Sequence, residues 1–446
     1  MRAPSFAEAF WTWAKIGLLG FGGPAGQIAM MHRVVVDEKK WIGEARFLHA
    51  LNYCMLLPGP EAQQLAVYLG WLLHRIPGGV AAGVLFVLPG ALVLFALSVL
   101  YAGFGDIVWI QGLFAGLKPA VLALVIDAVI KIGRRALTHR LRVGIAAAAF
   151  VALGLLHLPF PVVVLSAGLV GWWGGTRGLD AFKPAQSAAA GHLDAMLDTG
   201  IPDHVRPSRR RAVKIVAVCL ALWFAPIAAA AAMWGGDSVF VHIGLFFSKM
   251  AVVTFGGAYA VLAYVAQQAV EVYHWLAPGE MLDGLGLAET TPGPLLMVVQ
   301  FVGFLAAFRQ PGLLSPWAAA GVGALLTTWV TFVPCFLWIF LGGPYVERLR
   351  GHKALDGALS SITAAVVGII LNLALWFALH VLFVRHQQMA VGGVVLDLPE
   401  LRSLDPLSLG LAAAAMLALL RFRLGLVWVL GGAAGLGIAV RLLQAA

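Results

Sequence analysis

The amino-acid sequence predicts an all-α polytopic membrane protein made of two inverted-topology repeats, with broken or re-entrant helices at Phe-Gly-Gly and Pro-Gly-Pro motifs. Three observations lead there: an apolar composition, a duplication at a fixed offset, and a reversal of loop charge between the two copies. Of the 446 residues, 61% are hydrophobic and 11% charged, whereas a soluble domain is roughly half apolar and a quarter charged. Runs long enough to cross a hydrocarbon core recur at Val80 to Tyr101, Leu113 to Ile130, Val213 to Trp234, Trp317 to Leu341 and Ala358 to Leu382. The first apolar stretch carries Lys15 and runs into a motif that returns later, which points to a retained N-terminus rather than a cleaved signal peptide.

The duplication appears when residues 15 to 78 are laid over 249 to 312, an offset of 234 without a gap. Lys15 meets Lys249, Phe21-Gly22-Gly23 meets Phe255-Gly256-Gly257, and Trp41 meets Trp275. Pro58-Gly59-Pro60 meets Pro292-Gly293-Pro294, and Arg75, Pro77 and Gly78 meet Arg309, Pro311 and Gly312. Further on the copies need insertions, which place Pro89 near Pro334 and Gly116 near Gly357. The expected organisation is an N-terminal repeat over 1–176, a polar basic cytoplasmic linker over 177–212, a connecting transmembrane helix over 213–239 and a C-terminal repeat over 240–446.

Orientation follows from basic residues, which stay preferentially cytoplasmic in short loops. Lys131, Arg134, Arg135, Arg140 and Arg142, the group from Arg206 to Lys214, and the first-half loop with Arg33, Lys39, Lys40 and Arg46 all read as cytoplasmic. The matching second-half loop carries Glu271, Glu280 and Asp283 with no Lys or Arg, whereas Arg348, Arg350 and Lys353 mark an inside turn. Equivalent loops then face opposite sides, and the unmatched segment Val213 to Trp234 supplies the odd crossing that inversion needs. These charges favour segments that enter and leave on one side at each motif. Two full crossings per motif pair would also preserve inversion, but would place a basic loop outside and an acidic one inside.

A membrane tolerates broken helices only where the backbone is buried in protein or lines a wet cavity. Pro24, Pro60 and Pro294 suit the first turn of a new helix, so each break is expected to launch a half-helix whose N-terminus attracts anions. Glycine and proline also serve to kink or close-pack membrane helices, and Gly22 with Gly26 fits such packing. Four motifs in two matched pairs favour a transport site near the membrane midplane. Its candidate substrate-binding residues are Lys15, Gly22, Gly23, Pro24, Pro58, Gly59, Pro60, Lys249, Thr254, Gly256, Gly257, Thr291, Pro292, Gly293 and Pro294. Lys15 and Lys249 could balance a bound dianion or snorkel to the surface. Gln63, Gln64 and Thr290 are further neutral donors by proximity. Glu61 and Glu289 could take up a proton or cap a helix N-terminus, and Lys118 and Asp127, in a later helix, could pair or face the interface and are assigned no role.

Other chemistries find little support. Cys54, Cys219 and Cys335 are isolated in apolar segments, and the twelve histidines form no metal-ligand pattern, so the cysteines read as packing residues and no metal or other cofactor is expected. The net charge of +9 lies beside apolar spans, where membrane topology accounts for it without nucleic acid. No strand precedes the glycine run, which excludes a dinucleotide fingerprint. Neither paired acids nor a nucleophile with its base is visible, so an enzyme is not expected.

At these motifs the sequence resembles the chromate ion transporter family in its long two-domain form. The resemblance rests on Lys15 with Gly20 to Pro24, Trp41, Leu57 to Pro60 with Tyr68 and Gly70, and in the second half on Thr254 to Tyr259, Trp275 and Thr291 to Pro294. It implies a multi-pass protein of the bacterial inner membrane that exports chromate and confers resistance, with sulfate, another tetrahedral dianion, as competitor. Import of sulfate or another small anion is the alternative reading, with an intramembrane enzyme or a purely structural membrane protein as remoter ones; membrane lipid is the expected surrounding, and apolar helix faces could build a homodimer. The second copy has Ala258 where the first has Pro24, which sets the two half-sites apart.

Overall fold

A computed structural model of the chain describes residues 4–21, 23–105, 107–156, 158–182, 208–255, 258–345, 353–391 and 394–445. Sixteen α-helices dominate these residues. The first half contains α1 (Phe6–Leu19), α2 (Gly23–His32), α3 (Glu44–Cys54), α4 (Glu61–Phe104), α5 (Val108–Ala136), α6 (Arg140–Gly154) and α7 (Phe160–Thr176). Helix α8 (Arg209–Trp234) follows, then α9 (Val239–Val253), α10 (Ala258–Gln267), α11 (Pro278–Thr290), α12 (Val298–Arg309), α13 (Pro316–Gly342), α14 (Lys353–Leu382), α15 (Pro406–Leu420) and α16 (Leu426–Ala445). Among the described residues the all-α fold carries one exception, an antiparallel hairpin of β1 (His386–Val391) and β2 (Val394–Pro399) after α14.

Among the described residues six helices are long and apolar enough to cross a membrane, and each of the five apolar runs lies within one of them. The 44-residue α4 is two arms, because His74 (φ −136°, ψ 31°) and Arg75 (φ 56°, ψ −153°) leave helical geometry. Its first arm folds back on the second: a Cβ on Gly70 would lie 2.4 Å from the Gly78 carbonyl oxygen, so the arms touch backbone to backbone. Helices α12 and α13 pack as a second close pair, with Gly303 against Gly323 and Thr327.

The element order recurs at the offset of 234. Helices α1 and α9 stop at Leu19 and Val253, and π-helical turns at Arg33–Glu38 and Gln268–Val272 extend α2 and α10. Lys40 and His274 share a φ of 52°, and Gly59 and Gly293 have φ of 119° and 93°. Equivalent punctuation residues thus impose the same turns twice.

The chain forms two compact units that do not follow its halves. One gathers α1 to α3, most of α4, α8, α9, α12 and α13; the other gathers α5 to α7, nearly all of α10, α11 and α14 to α16. In the first, α13 packs on α8, α9 and α12. In the second, α14 packs on α5, α6 and α7, while α15 and α16 flank α5. Most of the polar linker, residues 183–207, lies outside the described residues.

The charge reading needs correction at Asp283. It is not a loop residue but lies within α11 and is 3% exposed. Glu280 is in the first turn of the same helix.

Candidate functional site

In the first unit the two Pro-Gly-Pro turns engage the opposite repeat. The Gly59 amide donates to the Thr254 carbonyl at 2.9 Å, and the Gly293 amide donates to the Gly20 carbonyl at 3.0 Å. Each contact is the image of the other at the offset of 234. Gly20 and Thr254 are the residues at which α1 and α9 end, with φ −76° and ψ 67° in one and φ −76° and ψ 92° in the other. A terminal carbonyl without an intrahelical donor is thereby satisfied in each half by a turn from the other. The same relation extends to neighbouring contacts: Gly90 lies against Pro292 and Gly293, and Cys335, its approximate counterpart, lies against Gly59.

Glutamines brace these turns. Gln27, fully buried on α2, donates from Nε2 to the Gly20 carbonyl at 3.1 Å and also to the Gly293 carbonyl. Gln64 Nε2 donates to the Pro58 carbonyl at 2.7 Å, and Gln63 Nε2 to the Phe332 carbonyl at 3.4 Å. Both side chains are buried, and the amide oxygens of Gln27, Gln63 and Gln64 have no hydrogen-bond partner. Their carbonyls therefore present buried acceptors, while their amide hydrogens serve the backbone.

Each break does launch a helix: α2 begins at Gly23, α4 at Glu61, and a 3-10 turn, Leu295–Met297, leads into α12. Pro24 lies in the first turn of α2, whereas Pro294 is the residue before its turn rather than the first within it, and Pro60 likewise precedes α4. The expectation for Pro60 and Pro294 thus shifts by one position. Their fixed φ favours the extended entry seen at Pro294, φ −63° and ψ 136°. The amides of Gly59 and Gly293 are committed to carbonyls, so the anion-attracting potential resides in the first-turn amides of the helices that follow.

Other expected site residues divide clearly. Pro58 is half-buried, while Gly59, Pro60, Thr254 and Thr291 to Pro294 are buried. The Thr254 hydroxyl donates to the Met250 carbonyl at 2.6 Å. Lys15 and Lys249 are exposed, on matching faces with Trp11 and Leu18 in α1 and Leu245 and Val252 in α9. Gly22, Gly256 and Gly257 lie outside the described residues. Glu61 is half-buried in the first turn of α4. A cavity of 360 Å³ lined by Trp234 to Phe240, Gln310, Gly312 and Leu313 lies at the start of α9, the opposite end from Thr254.

In the second unit, Glu289 is buried and accepts a hydrogen bond from the Tyr259 hydroxyl at 2.5 Å. The Thr290 hydroxyl donates to the Leu287 carbonyl at 2.8 Å. Of the two readings open for Lys118 and Asp127, pairing with each other is not the one found. Lys118 Nζ is 3.3 Å from Asp283 Oδ2, and Asp127 Oδ2 is 2.6 Å from Lys131 Nζ one turn along α5. The ammonium of Lys118 reaches the neighbouring helix because Gly279 has no side chain, its ideal Cβ position being 3.1 Å from Nζ.

Comparison with known proteins adds a family. The sequence profile described as Chromate transporter matches residues 7–172 and 241–438, segments whose starts are 234 residues apart. A chromate transport protein of Pseudomonas aeruginosa is 34% identical over 372 residues, 82% of this chain and 79% of the relative. One from Cupriavidus metallidurans is 29% identical over 358 residues, 80% of this chain and 78% of the relative. A probable chromate transport protein of Synechococcus elongatus is 27% identical over 356 residues, 80% of each. No solved structure matches.

Proposed function

The chain belongs to the chromate transporter family, and from that premise we propose that it exports chromate from the cytoplasm across a bacterial inner membrane, unchanged chemically, with sulfate as competitor. The observation that carries this reading is the reciprocal pair of bonds, Gly59 to Thr254 and Gly293 to Gly20, which joins broken helices of both repeats in one compact unit. The half-helices α1, α2, α3, α9, α10, α11 and α12 have 14, 10, 11, 15, 10, 13 and 12 residues. About 20 residues are needed to span a bilayer. These lengths support re-entrant segments in two repeats of opposite orientation. The dianion is drawn to the first turns launched by the breaks, including those after Gly22-Gly23 and Gly256-Gly257, with Pro24, Pro58, Pro60, Thr291, Pro292 and Pro294 shaping the turns. Lys15 and Lys249 supply positive charge on the approach, a role their exposed faces favour over a buried ion pair.

Electrogenic export is downhill without ATP, since a dianion leaving a negative-inside cell gains roughly 4.6 kcal/mol per 100 mV. Glu61 and Glu289 are the carboxylates beside the breaks that could carry an accompanying proton. Import of sulfate or another small anion is separated from this reading by direction of flux. In inverted vesicles the protein accumulates chromate in proportion to an imposed potential, and sulfate inhibits. Inserted, folded protein that gives no uptake above empty vesicles removes chromate as the substrate. Lys249→Gln lowers this uptake roughly tenfold while leaving insertion intact, the expectation for losing about 1.4 kcal/mol of charge attraction to the anion. Wild-type rates in that variant remove Lys249 from the pathway.

A further inference from the structure

The second unit contains a buried carboxylate that the transport reading does not use. Asp283 sits on α11 with its side chain 4% exposed. Its Oδ2 accepts a hydrogen bond from the Tyr101 hydroxyl at 2.9 Å and faces Lys118 Nζ at 3.3 Å. Its Oδ1 is buried with no partner. A carboxylate held only for structure in an apolar interior has both oxygens satisfied, because each unmet acceptor is costly there. The Lys118 side chain is 32% exposed, so the pair is closed on the acid's side and open on the base's. An ammonium on the open side can move off the carboxylate without displacing packed neighbours.

The surroundings narrow the ligand. The charged groups acting on Asp283 are Lys118 from α5 and Glu280 from α11 itself, with the Tyr101 hydroxyl from the end of α4. Helices α14 and α16 also touch α11, and their titratable or charged residues, Lys353, Asp356, His380 and Arg441, lie near their ends. Further along the α5 and α11 pairing come Glu289 with Tyr259, and Asp127 with Lys131. One free oxygen beside one ammonium offers too few ligands for a metal ion, which takes several oxygens. It has room for a proton.

We propose that Asp283, with Lys118 and Tyr101, is a proton-binding site that alternates between a carboxylate paired to Lys118 and a carboxylic acid carrying its proton on Oδ1, and that this exchange couples transport to the pH gradient. Lys118 remains an ammonium throughout and swings to the open side of the pair when Asp283 is neutral. The coupling part rests on the proposed transport of chromate; proton binding does not, and two measurements keep them apart.

The first is an infrared difference spectrum of the reconstituted full-length protein between neutral and mildly acidic buffer. Wild type gains a protonated-carboxyl band that Asp283→Asn lacks; a wild-type spectrum with no band assignable to Asp283 overturns the proton site. The second uses the same liposomes with the membrane potential clamped at zero. A difference of about one pH unit then drives roughly tenfold chromate accumulation per coupled proton in wild type. Asp283→Asn loses that accumulation yet retains exchange of labelled for unlabelled chromate at equal pH. Accumulation in Asp283→Asn equal to wild type overturns the coupling. Wild type with the carboxyl band but no chromate exchange removes the chromate reading and leaves the proton site standing. Because Asn at 283 leaves Lys118 without its counter-charge, the double variant Lys118→Met with Asp283→Asn is carried through both assays. It removes the pair as a unit, folds, and shows the same two losses.

Discussion

Alanine at Gly59 or at Gly293 is expected to cut chromate transport roughly a hundredfold while the protein still inserts. Both glycines have positive φ, 119° and 93°, and both lie beyond the small left-handed region open to other residues. Holding an L-residue there costs about 1–3 kcal/mol. Space adds to the strain: a Cβ on Gly59 would lie 2.9 Å from Gln64 Nε2 and 3.1 Å from Cys335 Sγ, and one on Gly293 would lie 3.3 Å from the Gly90 Cα. Relief requires the turn to move, and movement breaks the amide bond to the opposite repeat, Gly59 to Thr254 or Gly293 to Gly20. A loss of about 1.4 kcal/mol in the geometry of the transport step is already tenfold in rate, so each variant should fall by roughly a hundredfold when strain and bond are lost together. Gly43→Ala is the control, because Gly43 has φ −71° and nothing within 4 Å of its ideal Cβ. Uptake normalised to inserted protein is the measurement; transport by either variant at the level of Gly43→Ala would show that the turns do not gate substrate.

The turns were legible in the sequence because they depend on residue type. Gly, Pro and their spacing specify backbone conformation locally, and the gapless offset of 234 carried through to the ends of α1 and α9, the π-turns and the positive φ of Lys40 and His274. Long apolar runs likewise gave the spanning helices, since hydrocarbon thickness sets their length. The pairing between repeats was not legible. Gly59 meets Thr254 across 195 positions through main-chain atoms, which leave no mark on residue choice at the acceptor. Asp283 was misplaced for a related reason: three acids without a nearby base read as a loop, whereas its counter-ion, Lys118, is supplied by a distant helix. The interleaving of the halves into two compact units was equally hidden, because apolar periodicity does not identify which neighbour a helix face meets. Gln27 passed unnoticed since a single glutamine in an apolar segment carries no motif, although its counterpart at the offset is Val261.

That asymmetry yields the second large effect. Gln27→Met keeps length and apolar bulk but removes the amide, and is expected to lower both stability and transport. The two hydrogens on Nε2 serve two carbonyls from different halves, Gly20 and Gly293. Gly20 keeps a donor in the variant, the Gly293 amide at 3.0 Å, so most of the penalty falls on the Gly293 carbonyl. A buried acceptor left unmet costs about 1–3 kcal/mol, and thermal unfolding in detergent should register that loss. Transport should drop by tenfold or more, about 1.4 kcal/mol, because the Pro292-Gly293-Pro294 turn is then held at its amide alone. The equivalent first-half turn offers the internal comparison. Its carbonyl at Pro58 is met by Gln64 within the same repeat, at 2.7 Å, so Gln64→Met frees a local bond and, between the halves, cuts only the weak contact of Nε2 with Cys335 Sγ at 3.9 Å. If bridging is what matters, Gln27→Met impairs transport more than Gln64→Met at equal loss of stability. Equal impairment of the two would mean that any buried acceptor near the breaks suffices, and that the connection across the repeats through Gln27 is incidental to moving the anion.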